Sequence, residues 1–528
     1  MEANYKKIVK KYEKLKGDKV VYNNLWQEIS DFCYPSSKAF SRYISKGENR
    51  RRMIFDGTAE RALEISAASM VGLLANPASK WIGFTVNDEK LAEDREVKEF
   101  LDKAQKEVLA VFNNPRNRFY DNLFQAITLQ LAFGTSALFV DEDKDTVAKF
   151  RAESPSNFCF TEDFSGNQKD FYFEKKYTLE QIKEKGWNIP VELNQKQDED
   201  EVSILRAIMP NPNFEEVSTN PEHSKLIEYY IYLDTKTLAK TSYYKTNPTP
   251  LGRWGRLDGE IWGDSPARVA LADIKMINVS QMSMIKAVEK SLNPPLFVSS
   301  EAKFGKLDIS AGAMNVGEGN PNDNIHALQT VGNMPITFEW QQLIREAIRS
   351  AFYIDVLQTA ENVDMTATEA VIRQQEKLRG LSPKMTRIQS DILGLAAERV
   401  MVILIDKGVL VVPNSLNAVG IEFNVTYSSP VNQAQRSSEA QVIGQYANDL
   451  MGLAQANPAI LDNFDFDGAA QMLAEVRNIP VKLMIDPAKR DEARNQRAQQ
   501  QQMANNLAMA QQAGDAAQSL NKSQQPNA

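Results

Sequence analysis

Asp141, Asp143 and Asp145 stand at alternate positions, directly after the apolar run Ala137-Leu138-Phe139-Val140. Two chemistries use acids in this way. An apolar strand that ends in adjacent acids, here Asp141-Glu142, has the form of a Walker B strand, whose acids hold magnesium and orient water. That chemistry also needs a phosphate-cradling loop, G-x-x-x-x-G-K-[ST], and the chain has none. A calcium loop needs a glycine and a terminal glutamate after the alternating acids, and both are missing here. The acids therefore read as the polar turn of a hairpin whose strands are Ala137–Val140 and Ala148–Ala152. The only histidines are His223 and His326. There is no H-E-x-x-H, no paired Cys-x-x-Cys, no G-x-S-x-G and no dinucleotide fingerprint. No catalytic residue, cofactor or metal site is expected. Cys33 and Cys159 are too few for a disulfide framework and read as buried, reduced thiols.

The elements around these residues belong to a large chain. Its 528 residues suggest three or four domains, and 43% hydrophobic with 25% charged residues is enough for a true core. The net charge of −8 argues against tight, sequence-blind DNA binding, which needs a basic surface that releases counterions. The start, MEANYKKIVKKYEKLKGDK, lacks an apolar h-region, and no run of about 18 apolar residues occurs. A cytosolic start with no membrane contact is expected.

Two helical rods dominate the centre. Asp264-Ser265-Pro266 is a start signal, with Ser265 capping free amides and Pro266 at the first helical position. Ile274, Ile277, Gln281, Ile285, Val288 and Leu292 then recur at helical spacing. Pro294-Pro295 should stop this rod after roughly 40 Å at about 1.5 Å per residue. The second rod is expected over Phe338–Leu357, with Trp340, Leu343, Ile344, Ala347, Ile348, Ala351, Phe352 and Val356 on one face. A polar loop, Gln358–Met365, follows. Thr366-Ala367-Thr368-Glu369 reads as a capping box that opens a third helix. Gly380-Leu381-Ser382-Pro383 should kink that helix, and Gly408 should end it.

At this point the chain resembles the portal, or head-to-tail connector, proteins of short-tailed bacteriophages. The resemblance rests on Arg253-Trp254, Gly259-Glu260-Ile261-Trp262-Gly263, Ser265-Pro266-Ala267, Asp273-Ile274-Lys275 and Met365-Thr366-Ala367-Thr368-Glu369. Upstream it adds Trp26, Pro35, Asp56-Gly57-Thr58-Ala59, Asn76-Pro77 and Trp81. It runs from about Trp26 to about Pro430, and order and spacing carry it more than any single piece.

The rest of the chain fits an α+β, mainly helical class. Helices are expected over Tyr5–Lys16, Val21–Phe32, Thr58–Leu74, Leu101–Phe112 and Tyr120–Phe133, with Trp26 a core aromatic and Arg50-Arg51-Arg52 a solvated loop. Further strands are expected at Phe158–Thr161, Asp170–Tyr177, Ile204–Met209, Leu226–Leu233 and Thr241–Lys245. Val409–Val412 and Ile421–Tyr427 read as strands. Helices are expected at Ala434–Ala456, Asp467–Arg477 and from Asp486 to about Ala513, with a disordered end from Ser519. By the resemblance, residues 1–250 are the wing, 251–295 the linker and first stem helix, and 296–337 the clip. Residues 338–357 are the second stem helix, 358–365 the channel loop, and 366–430 the kinked helix and returning wing strands. Residues 431–485 form the crown, and 486–528 a C-terminal helix, in some relatives a barrel, with its tail.

The resemblance also implies a homo-oligomeric ring, a dodecamer, at the capsid portal vertex of the virion. Its implied partners are double-stranded DNA in the channel, the terminase packaging motor, the major capsid and scaffold proteins, and tail adaptor proteins. A ring of about twelve copies would carry roughly twelve times −8, near −100, and its wall would mostly repel phosphate. Lys275, Lys286 and Lys290 on the first rod are candidates for weak phosphate contacts. Glu361, Asn362 and Asp364 in the loop are candidates for the bore. The rival readings are a nucleotide-driven DNA motor or nuclease, and a structural head or tail protein without a channel.

Overall fold

A computed structural model describes residues 2–37, 40–42, 45, 47–88, 91, 94–193, 197–215, 220–292, 296–298, 303–304, 317–318, 325–327, 334–357, 379–417, 423–427, 430–454, 458–476, 479, 484–485 and 487–523. The chain divides into two compact units. The first comprises residues 1–87, 104–412 and 421–431, and the second residues 88–103, 413–420 and 432–528.

The chain starts with α1 (Glu2–Asp18), α2 (Val20–Phe32), α3 (Thr58–Leu74), β1 (Ile82–Val86), α4 (Arg95–Asn113) and α5 (Phe119–Phe133). Strands follow: β2 (Thr135–Asp143), β3 (Val147–Glu153), β4 (Phe158–Glu162) and β5 (Gln168–Thr178), then α6 (Leu179–Glu184), β6 (Glu201–Pro210), β7 (Leu226–Tyr232), β8 (Leu238–Tyr244) and β9 (Leu251–Arg253). Strands β4 to β8 form one antiparallel meander in chain order, and β3-β2-β9 a second sheet. The strands expected between Ala137 and Lys245 are all present. Strands β1 and β9 and helix α6 escaped the sequence pattern, although Thr178 and Gln181 form a reciprocal capping box at the start of α6.

Alternation along β6 explains how the meander is covered. Leu205 and Ala207 meet Tyr5, Ile8, Val9 and Tyr12 of α1, while Val202 and Ile204 pack with Leu179, Ile182 and Tyr232. Polar ties hold α1 in place. Lys11 pairs with Asp170 at 2.5 Å, and Tyr12 and Lys16 both reach Glu174 at 2.6 Å. Lys19 is buried and donates to the carbonyls of Pro155, Ser156 and Phe158 at 3.0–3.2 Å. Burial lowers its pKa, as expected for a cation removed from water.

The Gly259–Gly263 motif is structural. Trp262 is buried 4.9 Å from Trp26 of α2 and 5.0 Å from Phe160 of β4, ring to ring. Gly263 donates to Thr135 Oγ1 at 2.9 Å and lies against Gly134, which ends α5 at φ +79°. A Cβ on Gly134 would sit 2.0 Å from the Gly263 carbonyl oxygen, so this backbone contact requires glycine. Strands β10 (Gly255–Arg256) and β11 (Gly263–Asp264) flank the turn.

Next come α7 (Pro266–Val269) and α8 (Leu271–Leu292), strands β12 (Leu296–Val298), β13 (Lys303–Phe304), β14 (Gly317–Glu318) and β15 (Ile325–Ala327), then α9 (Met334–Ala351) and α10 (Ile354–Leu357). Strands β12 and β15 pair, as do β13 and β14. Ser265 caps α7 as expected, accepting from the Arg268 amide at 3.0 Å. The first rod is not continuous, however. Ala270, at ψ −2°, interrupts the helical ladder between α7 and α8. The second rod starts earlier than expected and breaks at Tyr353, whose φ of +61° no continuous right-handed helix accommodates.

Helix α11 (Ser382–Ile388) runs through a π-helical turn, Gln389–Gly394, into α12 (Leu395–Asp406). As expected, the helix is interrupted at Gly380–Leu381, and Pro383 lies in the first turn of α11, a position that suits proline. The π turn is a second irregularity that the sequence pattern did not announce. Tyr427 of β16 (Phe423–Tyr427) donates its hydroxyl to the Gln389 carbonyl at 2.5 Å, and a Cβ on Gly394 would crowd that hydroxyl. β16 pairs antiparallel with β1, Ile82 opposite Tyr427. Gly408, at φ +72°, ends α12 as expected, with the Val409 amide bonded back to Leu404. Val409–Val412 is not a strand: Leu410 is held by this helix end, and Val411 is exposed.

The second unit contains α13 (Asn414–Asn417), most of α14 (Pro430–Ala454), α15 (Phe466–Val476) and α16 (Pro487–Ser523). Phe464 contacts Tyr446 and Phe466, and Arg494 grips Asp467 through two bonds of 2.6 and 2.7 Å. α16 runs past Ser519, where the polar composition suggested disorder.

The buried pair Arg206–Glu228, at 2.6 Å, joins β6 and β7, and Tyr244 donates to the same carboxylate at 2.6 Å. Arg206→Met would strand a buried carboxylate and should cost about 3–5 kcal/mol. Adding Glu228→Gln should recover part of that loss. Urea denaturation followed by far-UV circular dichroism reads both, and equal midpoints for the single and double variants would contradict the account.

Candidate functional site

The two rods pack on one another, α8 against α9, and both α2 and α3 support them. Polar groups line the seam. Gln341, almost fully buried, donates to Ser280 Oγ at 2.9 Å. Arg345 of α9 donates to Gln281 of α8 at 3.3 Å and, through Nε, to Asp56 Oδ2 at 2.9 Å. Asn278 Oδ1 accepts from the amides of Phe55 and Asp56 at 2.7 and 3.1 Å, while its Nδ2 donates to the Ile274 carbonyl at 2.8 Å. Asp56 also accepts from the Thr58 amide at 2.9 Å and so caps α3. Further along α3, Ser66 donates to the Phe352 carbonyl at 2.5 Å, where α9 gives way to the Tyr353 break.

Asp56 is the centre of this lock. Burial pushes its carboxyl pKa upward, but the Thr58 hydrogen bonds and the Arg345 guanidinium outweigh burial and hold it below the usual carboxylate range. The sequence signal for half of this was present, since Asp-Gly-Thr-Ala opens α3. Its partner, 289 residues away, carries no local signal.

On the rods Ile274, Ile277, Ile344, Ile348 and Phe352 face inward. Val279 at 60%, Ile285 at 50%, Leu292 at 76% and Leu343 at 64% exposure, with Phe338 and Trp340, are exposed, among exposed polar residues that include Ser283, Lys286, Glu289, Gln342 and Arg349. Several large apolar side chains exposed on one helix pair are the kind of surface that associates.

The candidate channel residues separate. Lys275 is bound to Glu28 of α2 at 2.5 Å. Lys286 is exposed on α8. Lys290 lies in α8, with its side chain outside the described residues, and Glu361, Asn362 and Asp364 fall outside them altogether, as does the Thr366–Glu369 box.

The hairpin acids are occupied within the chain. Asp141 meets Arg206 at 3.3 Å, and Glu142 meets Lys407 at 3.8 Å. Asp143 binds Lys149 at 2.8 Å and the Thr146 amide and hydroxyl at 3.0 and 2.9 Å. Those contacts hold its carboxyl far below the ordinary range. No group of three or more potential metal ligands occurs among the described residues. His223 pairs with Glu215 at 2.9 Å, and His326 stands opposite Phe297 in the β12–β15 pair. Both cysteines are free and buried. Among the described residues no helix is long and apolar enough to cross a membrane.

Comparison with known proteins gives the family. Residues 5–485 match the family described as bacteriophage head to tail connecting protein, and the chain belongs to it. It is 27% identical to the probable portal protein of Bordetella phage BPP-1, over 98% of this chain and 96% of that protein. It is 24% identical to the portal protein of Salmonella phage epsilon15, over 99% and 96%. A chain in the structure titled "Virion of native gene transfer agent (GTA) particle" aligns with 79% of this chain and 94% of its own length, at 10% identity and a TM-score of 0.37.

The lock has a pH signature. Because the Asp56 pKa is depressed in the folded chain, its stabilisation is present above the ordinary carboxylate range and is lost as pH falls through the lower folded value. Asp56→Asn should cost about 1–3 kcal/mol at neutral pH. It should also flatten the acid limb of the thermal midpoint plotted between pH 2 and pH 6. A variant whose acid limb matches wild type would remove Asp56 from this role.

Proposed function

We propose that the chain is a portal subunit: copies assemble into a ring whose channel passes double-stranded DNA during packaging and ejection. The single observation that carries this reading is the α8–α9 pair, with its uncovered Val279, Ile285, Leu292 and Leu343. In a closed ring each subunit covers its neighbour's apolar face, and the interfaces repeat without exposed ends. Full-length similarity to proteins named portal supports the same reading.

On this reading residues 1–250, with the returning strands of 366–430, are the wing, α8 and α9 the two stem helices, 296–337 the clip, 431–485 the crown and 486–528 a C-terminal helix with its tail. The ring is a dodecamer at the capsid portal vertex of the virion, made in the host cytoplasm. It contacts the major capsid and scaffold proteins, docks the terminase packaging motor at the clip, and later receives tail adaptor proteins there. ATP hydrolysis belongs to the motor, and the connector itself works by shape and charge. Lys286 and Lys290 make weak, exchangeable phosphate contacts, and the acids Glu361 and Asp364, with Asn362, favour sliding. Lys275 is better placed to fix α8 to α2 through Glu28.

Negative-stain microscopy tests the ring directly. A ring with a hole at least as wide as a DNA duplex is expected, and a population of monomers only would defeat the proposal. Val279→Asp with Leu343→Asp should break rings into folded subunits with unchanged circular dichroism, read by native mass spectrometry. Separately, Lys286→Glu with Lys290→Glu should lower packaged DNA retention in virions while rings still form. Unchanged packaging and retention would remove both lysines from the channel role.

A further inference from the structure

A cleft of about 940 Å³ lies on the meander face opposite α1, away from the rods. Its floor is the buried Arg206, held by Glu228 and Asp141 and set over the rings of Phe139 and Tyr230 at 4.8 and 5.2 Å. One wall is the β2–β3 hairpin. The other is α6 with the turn after it, which places Trp187 4.8 Å from Tyr230 and 5.7 Å from Tyr177. Lys175, Lys176, Lys185 and Lys240 border the opening. The lining carries six cations against the three acids Asp141, Glu142 and Glu184, and three of the cations, Arg206, Arg151 and Lys176, are also paired with Glu228, Glu153 and Glu201. Arg151 Nε lies 2.9 Å from Glu153, while its Nη2 is enclosed without a hydrogen-bond partner among the described residues.

We propose that this cleft binds an acidic segment of a partner protein, a short run of aspartate and glutamate bearing one large apolar side chain. The volume is too great for a lone phosphate or carboxylate to fill. The lysines stand around Trp187, which is half-buried, so a peptide can set carboxylates on the rim and an apolar anchor against the Trp187 ring. The three lining acids choose between peptide and nucleic acid. A peptide can place neutral residues opposite them, whereas a polynucleotide carries charge at every phosphate and would meet repulsion at each acid.

Fluorescence anisotropy of the full chain with a labelled decapeptide of glutamate and glycine, with one central leucine, tests this. Saturable binding is expected. Lys175→Glu with Lys240→Glu should weaken it at least tenfold, while Lys6→Glu with Lys10→Glu, on the exposed side of α1, should not. Trp187→Ala should weaken the leucine peptide and leave a peptide with glycine in its place unaffected. Equal binding of a glutamine-for-glutamate peptide to wild type would overturn the proposal, as would unchanged affinity in the Lys175/Lys240 variant. A ten-nucleotide single strand that competes as tightly as the peptide would also overturn it. Neither result depends on whether rings form.

Discussion

The fold converges on one charged contact, Arg345 to Asp56. A carboxylate in this position is costly unless its oxygens are occupied, and here both are: Oδ1 caps α3 through Thr58, and Oδ2 takes Arg345 of α9. Asn278 completes the arrangement by holding the backbone on which Asp56 sits to α8. Three helices that are distant in sequence are thus positioned by a single side chain and its immediate backbone. Replacing the seam with apolar residues would still bury surface, but nothing would then fix the axial register of α8 against α9. Directional bonds from Gln341 to Ser280 and from Arg345 to Gln281 set that register.

Much of this was legible in the sequence. Local signals were reliable where one residue decides one bond. Ser265 caps α7 and Gly408 ends α12, while the hairpin expected to turn over Asp141–Asp145 turns later, at residues 144–146, because Asp141–Asp143 still pair with β3. Signals failed where the deciding partner is remote. Val409–Val412 has strand composition, but the end of α12 captures Leu410 and the segment is assigned no strand. β1 forms because Phe423–Tyr427 returns to it, more than 330 residues later in the chain. The same limit applies to the rods. Their apolar period was clear, but period alone does not say which apolar residues face inward. Ile274 and Ile277 are buried, whereas Ile285 and Leu292, on the same expected stripe, are exposed.

The breaks in the rods have a local logic as well. The third helix breaks at Gly380–Leu381, where a kink was expected, and Pro383 sits just beyond, where its missing amide hydrogen costs nothing. The π turn at Gln389–Gly394 then shifts the backbone so that the Gln389 carbonyl meets the Tyr427 hydroxyl, and Gly394 leaves room for that ring. Tyr353 is a different case, because a tyrosine at positive φ is held there at a cost by its surroundings. Its ring lies 5.8 Å from Trp254, and the residue before it accepts the Ser66 hydrogen bond. The end of α9 is therefore fixed by α3 and by the Arg253-Trp254 segment at the same point where the helix is interrupted.

The distribution of polarity on the rods explains why association and folding are linked in this reading. In a self-sufficient globular chain the apolar aspect of a helix faces the core and the polar aspect faces water. Here the contact between the rods contains glutamine, serine and arginine, and several of the largest apolar side chains point away from the chain. A polar seam contributes specificity with little net stabilisation, since each hydrogen bond formed replaces one made with water. On the proposed reading, covering Val279, Ile285 and Leu343 with a neighbouring copy adds to the stabilisation that Ile274, Ile277, Ile344 and Ile348 supply inside the chain. Subunit concentration then enters the stability of the rods directly, because whatever binds the folded state alone shifts the equilibrium toward it. On that reading the Asp56–Arg345 lock holds the pair in register until a neighbour covers it, so a single ion pair inside one chain bears on how copies meet through their apolar residues.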